Sequence, residues 1–240
     1  ATHSINANII NTGMIDIDAT ATVIATTFDT SDGDIDVASG NTLYLDSTTT
    51  TIGTSTNLTG LGTIDLLGEQ TVNFASAYTI TGTTTLLDPS GTITFDGPGT
   101  LTIASDGEFM MTEDTANVHI VNDGILDIES GTSTINNPGA NSTSFINAMT
   151  GVLTLRGTFS GGNAELIMAN GFTNDGTITL DNADSSFRYQ TLTVNSEGDA
   201  GQTYGTLTNA GTISATQTGG GSATHSINAN IINTGMIDID

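Results

Sequence analysis

Along this chain apolar residues recur two apart, separated by Thr, Ser, Asp or Asn, and most such runs follow a glycine. The glycines that align on the pattern are Gly13, Gly33, Gly62, Gly82, Gly91, Gly99, Gly107, Gly124, Gly151, Gly176, Gly205, Gly211 and Gly235. Two places after the glycine the residue is apolar in all but one case, Thr84. The set includes Ile15, Ile35, Ile64, Ile93, Leu101, Phe109, Leu126, Leu153, Ile178, Leu207 and Ile213. Three places after it stands Asp, Thr or Ser, with Met110 the one departure, and a second apolar residue commonly follows. A period of two predicts short β-strands with one buried face. Glycine is expected to supply positive φ where the chain turns a corner. Asn two places earlier (Asn11, Asn122, Asn174, Asn209, Asn233) is expected to tolerate similar geometry and bond the local backbone. No stretch carries a helical period.

Two all-β architectures accommodate such strands. An immunoglobulin-like sandwich would call for a buried aromatic core and more varied strands, whereas aromatics are 5% of this chain and Trp is absent. The short strands resemble one another, and several glycine spacings (13 to 33, 62 to 82, 107 to 124, 211 to 235) lie near one value. The pattern therefore predicts a parallel β-helix, or β-solenoid, of Thr-rich strands with about 20–24 residues per coil. Phe74, Phe95, Phe145, Phe159 and Phe172 are expected to fill its interior.

A second, longer period overlies the first. Residues 1–18, ATHSINANIINTGMIDID, return unchanged as residues 223–240, an offset of 223 − 1 = 222. Residues 1–222 thus read as one complete repeat unit and 223–240 as the start of the next, and the whole reads as a window on a longer array. Such identity implies recent duplication or continual homogenisation. Gln217–Ser222 (QTGGGS) is the candidate joint, either flexible or a wide corner. The corner is favoured because the strand pattern resumes within a few residues.

Composition narrows the partners. The 26 acidic residues face two basic ones, Arg156 and Arg188, giving a net charge of −24. That balance argues against nucleic acid and anionic membrane surfaces, which both require Lys and Arg. There is no Cys, hence no disulfide or thiolate site. No apolar run reaches the ~18 residues of a membrane span.

Candidate chemistry is sparse. Asp29, Asp32, Asp34 and Asp36 alternate around Gly33 in DTSDGDID, a spacing that could present several carboxylates to Ca²⁺. The segment matches neither an EF-hand loop nor the nonapeptide calcium repeat, so no cofactor is required and calcium is the only one expected. Asp16, Asp36, Asp65 and Asp127 share one outward step, and a cation could bridge Asp16 and Asp36 if they stack; a solvated acidic face is the plainer reading. Thr pairs (Thr92/Thr94, Thr100/Thr102, Thr177/Thr179, Thr191/Thr193, Thr206/Thr208) resemble ice-binding arrays if carried on consecutive coils, although Thr also simply favours exposed strands. Carboxylate pairs for glycoside chemistry could be picked anywhere among so many acids. His3 and His225 are one repeat position, which leaves His119 as the only other imidazole, and no nucleophile motif occurs. His119 and the arginines read as surface or packing residues, and the chain as a non-enzyme. Asn57 and Asn141 head glycosylation sequons.

Ala77–Leu87 (AYTITGTTTLL), Pro89–Phe95 and Gly97–Ala104 resemble the passenger-associated repeats of bacterial autotransporters. The Asn-x-Gly elements (NTGMIDI, NDGILDI, NDGTITL, NAGTISA) are similar to repeats of filamentous-haemagglutinin-type adhesins. Together they span about half of the chain, and the exact long period departs from most autotransporter passengers. The resemblance implies a parallel β-helix on an exported bacterial surface protein, extracellular and adhesive or structural. The expected function is a structural repeat of a very large surface fibre or adhesin, with further copies of the repeat as partners, end to end or laterally. A ligand-binding module for ice or glycan on a stalk is the alternative.

Overall fold

Parallel strands cannot be joined by tight hairpins; each needs a crossover that returns the chain to the starting edge. Four- or five-residue strands broken by corners meet that need by wrapping around several walls, so that the rest of each coil is the crossover. The computed structural model describes residues 3–53, 56–81, 85–90 (by their backbone), 92–136, 144–158, 162–182, 187–196, 203–219 and 223–240. It is all β, a solenoid of about 9 turns with ~23 residues per coil. Each ladder between its strands is parallel and in register with the coil beneath.

Every turn visits three walls in the same order. The first wall begins with His3–Asn6 and is revisited by strands or strand portions starting at Ala21, Thr42, Thr63, Thr85, Glu108, Ile125, Val152, Thr177 and Thr212. The second runs from Ile9–Ile10 through the later halves of Ala21–Thr30 and Thr42–Ile52, then Gln70–Phe74 and Ile93–Asp96, on to Gln190–Val194 and His225–Asn228. The two long strands turn the corner between these walls and merge them into one 19-stranded sheet. The third wall holds Met14–Ile17, Asp34–Val37 and Leu58–Gly60 as one ladder, and seven strands from Tyr78–Ile80 to Asn230–Asn233 as another.

The alternation expected from the sequence is the alternation of the core. From Ile35 to Ile213 every apolar residue named above at two places past a glycine is buried; Ile15, in the first coil, is half-buried. Phe74, Phe95, Phe145 and Phe172 lie inside, with Phe28 and Phe109 added, while Phe159 falls outside the described residues. Phe95 meets Phe74 at 6.4 Å in a stacked arrangement and Phe109 at 4.9 Å edge-on, geometries that aromatic pairs favour.

The role expected for the repeating glycines is corrected. Among the described glycines positive φ occurs at Gly40, Gly60, Gly68, Gly97, Gly131 and Gly162, none of which belongs to the aligned set. The aligned glycines answer to crowding between coils instead. A Cβ on Gly151 would stand 2.1 Å from the carbonyl oxygen of Asn122, on Gly176 2.2 Å from that of Gly151, and on Gly211 2.0 Å from that of Gly176. At the corner from the third wall to the first stacked backbones come so close that a side chain has no room, as they also do at Gly99 over Ser76, between the second wall and the third.

The asparagines at the same corner do more than shape a turn. Their side chains form a buried ladder, each Nδ2 donating to the next Oδ1: Asn122 to Asn147 at 2.8 Å, Asn147 to Asn174 at 2.6 Å, Asn174 to Asn209 at 2.6 Å and Asn209 to Asn233 at 2.7 Å. The same Nδ2 atoms also donate to strand carbonyls of the following coil, on Val152, Thr177, Thr212 and Met236. Replacing Asn174 by Ala strands one donor and one acceptor in the interior; the expected loss is about 2–4 kcal/mol, read from the urea midpoint. Gly176→Ala, which forces the corners apart, is expected to cost about 1–3 kcal/mol in the same measurement.

Candidate functional site

The four aspartates of DTSDGDID do not converge. Asp29 ends a second-wall strand portion and its Oδ1 accepts the Ser31 backbone N–H at 3.0 Å. Asp32 lies exposed in the corner. Asp34 and Asp36 sit on the outer side of the third wall, where each faces the next coil. The Oδ1 of Asp34 accepts from the backbone N and Nδ2 of Asn57 at 3.0 and 2.8 Å, and the Oδ1 of Asp36 accepts the Thr59 hydroxyl. Asp16 does stack on Asp36, in register. Asp65 and Asp127 share the outward step but stand on the first wall. Among the described residues no group of three or more His, Asp or Glu gathers as a metal site would require. Asn57 is engaged with Asp34, and Asn141 lies outside the described residues together with Gly220–Ser222 of the candidate joint.

The Thr pairs are spread over the three walls. Thr92/Thr94 and Thr191/Thr193 belong to the second, Thr100/Thr102 and Thr206/Thr208 to the third, and Thr177/Thr179 to the first. Between the third-wall pairs the outward step carries Val121 and Ile146 before Thr173. What does line up is a column on the second wall, Thr27, Thr49, Thr71, Thr94, Thr115 and Thr134, interrupted at Ile167, and a shorter one on the first, Thr42, Thr63 and Thr85. Members of the longer column stand 19 to 23 residues apart, close to one coil each, but neighbouring threonines such as Thr26, Thr48, Thr50 and Thr92 mask that spacing in the sequence.

The solvated acidic face expected on the first wall holds for Asp65 only in part and fails at Asp127, which is 5% exposed. Its Oδ1 is buried without a hydrogen-bond partner, and burial raises its pKa above the ordinary carboxylate value, against the opposing pull of Arg156 and a Thr154 hydrogen bond. Two residues on, Glu129, Arg156 and Asp181 stack in register. Arg156 pairs with Glu129 at 3.5 Å, and Glu129 is shifted upward too, by burial first and by Asp127 and Glu108 behind it. Arg156, which sequence reasoning left as a surface or packing residue, is thus the cation of an acidic stack. His119 and Arg188 sit on the third wall and beside the second.

The two copies of the 18-residue motif build the end coils. In each, the same four isoleucines turn inward: Ile5, Ile9, Ile15 and Ile17, and again Ile227, Ile231, Ile237 and Ile239. The first copy is covered only by the coil that follows it, the second only by the coil that precedes it. Ile17 is accordingly 8% exposed where its twin Ile239 is 77% exposed. The second copy leaves an apolar opening of about 580 Å³ bounded by Leu180, Ile213, Ile227, Ile231, Ile237 and Ile239.

Comparison with protein-family models, with curated proteins and with solved structures returns no match.

Asp127 and Glu129 give a pH dependence with a definite sign. Both acids bind protons more tightly folded than unfolded, so their contribution to stability is full below the unfolded value and is lost as pH rises through the folded one. The protein is expected to gain thermal stability on acidification from neutrality towards pH ~4. Asp127→Asn should raise Tm at pH 7, the gain being about 1 kcal/mol and vanishing near the acid end, by calorimetry.

Proposed function

We propose that this chain is a structural repeat of a long, acidic β-solenoid filament carried on the outside of a bacterial cell, as a surface fibre or the shaft of an adhesin. One observation carries the reading. Residues 223–240 do not start a separate body; they add the next coil to the same solenoid, pairing in parallel with Gln190–Val194, Thr206–Asn209 and Thr212–Thr216. The same eighteen residues, as 1–18, pair through their other edge with Ala21–Thr30 and Asp34–Val37. One sequence therefore fits a neighbour on both sides, which is what a coil shared by two consecutive units needs. An exposed sheet edge is a template for further pairing, and a following unit satisfies it without a linker.

The mechanism is mechanical. Backbone hydrogen bonds run along the axis, the apolar interior and the Asn ladder resist slippage, and the acidic exterior keeps filaments dispersed. Absence of Cys and Lys, scarcity of Arg, and the resemblance to exported repeats support an extracellular setting. Among the described residues no arrangement asks for catalysis, and the proposal is of a non-enzyme whose partners are further copies of itself.

Electron microscopy of chains carrying one, two and four consecutive units tests this. Straight rods lengthening by about 45 Å per unit, from ~23 residues per coil and ~4.8 Å between coils, are expected; beads on flexible joints would overturn the filament. A second reading, ordering of water or ice by the second wall, rests on the Thr27–Thr134 column. It predicts thermal hysteresis that Thr94→Lys abolishes.

A further inference from the structure

We propose that the open coil 223–240 is the docking surface for the part of a following repeat equivalent to Ala21–Val37, engaged one wall further round than in the first copy. Each 222-residue unit then makes nine and one-third turns, and successive units are rotated by a third of a turn. The inference rests on the filament reading above and specifies its joint.

The walls carry the argument. His3–Asn6 stands on the first wall, which the chain revisits nine times, the last at Thr212–Thr216. The strand after that is His225–Asn228, the repeat of His3–Asn6, and it stands on the second wall beside Gln190–Val194. Asn230–Asn233 follows on the third wall and Met236–Ile239 on the first, where Ile9–Ile10 and Met14–Ile17 hold the second and third. The whole motif is displaced by one wall, with its inward face unchanged.

The two copies are complementary halves of one coil. Ile17 is covered from the following side and Ile239 is not; Ile227 packs against the core from the preceding side while Ile5 is 47% exposed. Gly13 has open space where a Cβ would stand, so nothing in the first coil explains it. Its twin Gly235 would bring a Cβ to 2.1 Å from the carbonyl oxygen of Gly211. The glycine is needed only when a coil lies beneath it. The ladder has matching ends as well. Asn233 accepts from Asn209 at 2.7 Å, and its twin Asn11 donates through Nδ2 to Thr30 Oγ1 at 3.1 Å and to the Asp34 carbonyl at 2.9 Å. Thr30 passes its own proton to the Gly33 carbonyl at 2.9 Å. Merged into one coil, Asn11 and Asn233 take the ladder from one unit into the next and end it on a hydroxyl.

A feature confined to one wall, such as the Thr column, would then appear on the three walls in turn. Phase returns after three units, an axial period of about 135 Å at ~4.8 Å per coil.

The chain has no Cys, so introduced pairs are its only thiols. In a chain extended by one further unit, two variants read the joint: Thr191→Cys with Ser226→Cys, and Ser226→Cys with Cys at the added unit's equivalent of Thr22. Thr191 and Ser226 are register partners, as are Ser4 and Thr22, and stacked strands lie within disulfide reach. Both pairs are expected to oxidise nearly completely, and a pair of Ser226→Cys with Ser214→Cys, one wall away, is expected not to. A doubled rod in which either expected pair stays reduced would overturn the one-wall shift and leave the filament standing. Two particles on a flexible joint, with the second pair reduced, would overturn the filament and the shift together. As an independent readout, Gly13→Ala should leave the unfolding midpoint of the 240-residue chain unchanged, and Gly235→Ala should lower that of the extended chain.

Discussion

The close approach between stacked coils at the corner from the third wall to the first constrains the rest of the molecule. Strands hydrogen-bonded edge to edge are held ~4.8 Å apart, and at this corner the carbonyl of one coil occupies the place of the next residue's Cβ. From Gly124 to Gly235 glycine holds this place, and the inward space beside it is filled by asparagine amides that are donor and acceptor at once. The corner therefore tolerates little insertion. The longer intervals between consecutive strands lie elsewhere, from Ile135 to Phe145, Gly157 to Ala164, Asn182 to Gln190 and Val194 to Thr206. Coils can then differ widely in length, from 126 − 109 = 17 residues between register partners Phe109 and Leu126 to 213 − 178 = 35 between Ile178 and Ile213, without loss of stacking.

Much of this was readable from the chain, for a physical reason. A wall with one wet and one dry face imposes a period of two on every strand, and the inward residues from Ile35 to Ile213 follow it without exception. What a neighbouring coil imposes left a weaker trace. The glycines were visible, but their cause lies across the stack rather than in the local backbone, so positive φ was the wrong reason. Asn147 escaped notice because its corner runs four residues to Gly151 instead of two, although its amide sits squarely in the ladder. The Thr27–Thr134 column keeps a spacing near one coil, but it was hidden among the many other threonines around it. Asp16 and Asp36 were paired correctly, whereas Asp65 and Asp127 belong to a different wall, which step counting alone does not reveal.

Electrostatics modify this scaffold without organising it. Most of the acidic surplus is spread over outward steps where water screens it. The exception is the run Asp127, Glu129 and Asp181 around Arg156. There carboxylates are partly withdrawn from water with a single cation among them, and Asp181 finds its relief in Thr216 and Thr218. Such a cluster costs stability at neutral pH. The hydrophobic interior beneath it, from Leu126 to Leu180, is fully enclosed and tolerates that cost.

The identity of the two end coils exceeds what stacking requires. Interior coils succeed with Ile, Leu, Val or Phe at the inward steps and with almost any polar residue outside, so two coils can be equivalent in structure and different in sequence. Yet residues 1–18 and 223–240 agree even at outward positions such as Ile10 and Met14, whose side chains are exposed in both copies and take no part in the ladder. Packing cannot account for that agreement, and copying can. A chain whose units are kept interchangeable offers the same stacking edge at every joint, so any unit can follow any other. Length can then change by whole units while the hydrogen-bonded axis stays continuous, a property that serves a filament and has no use in a single globular domain.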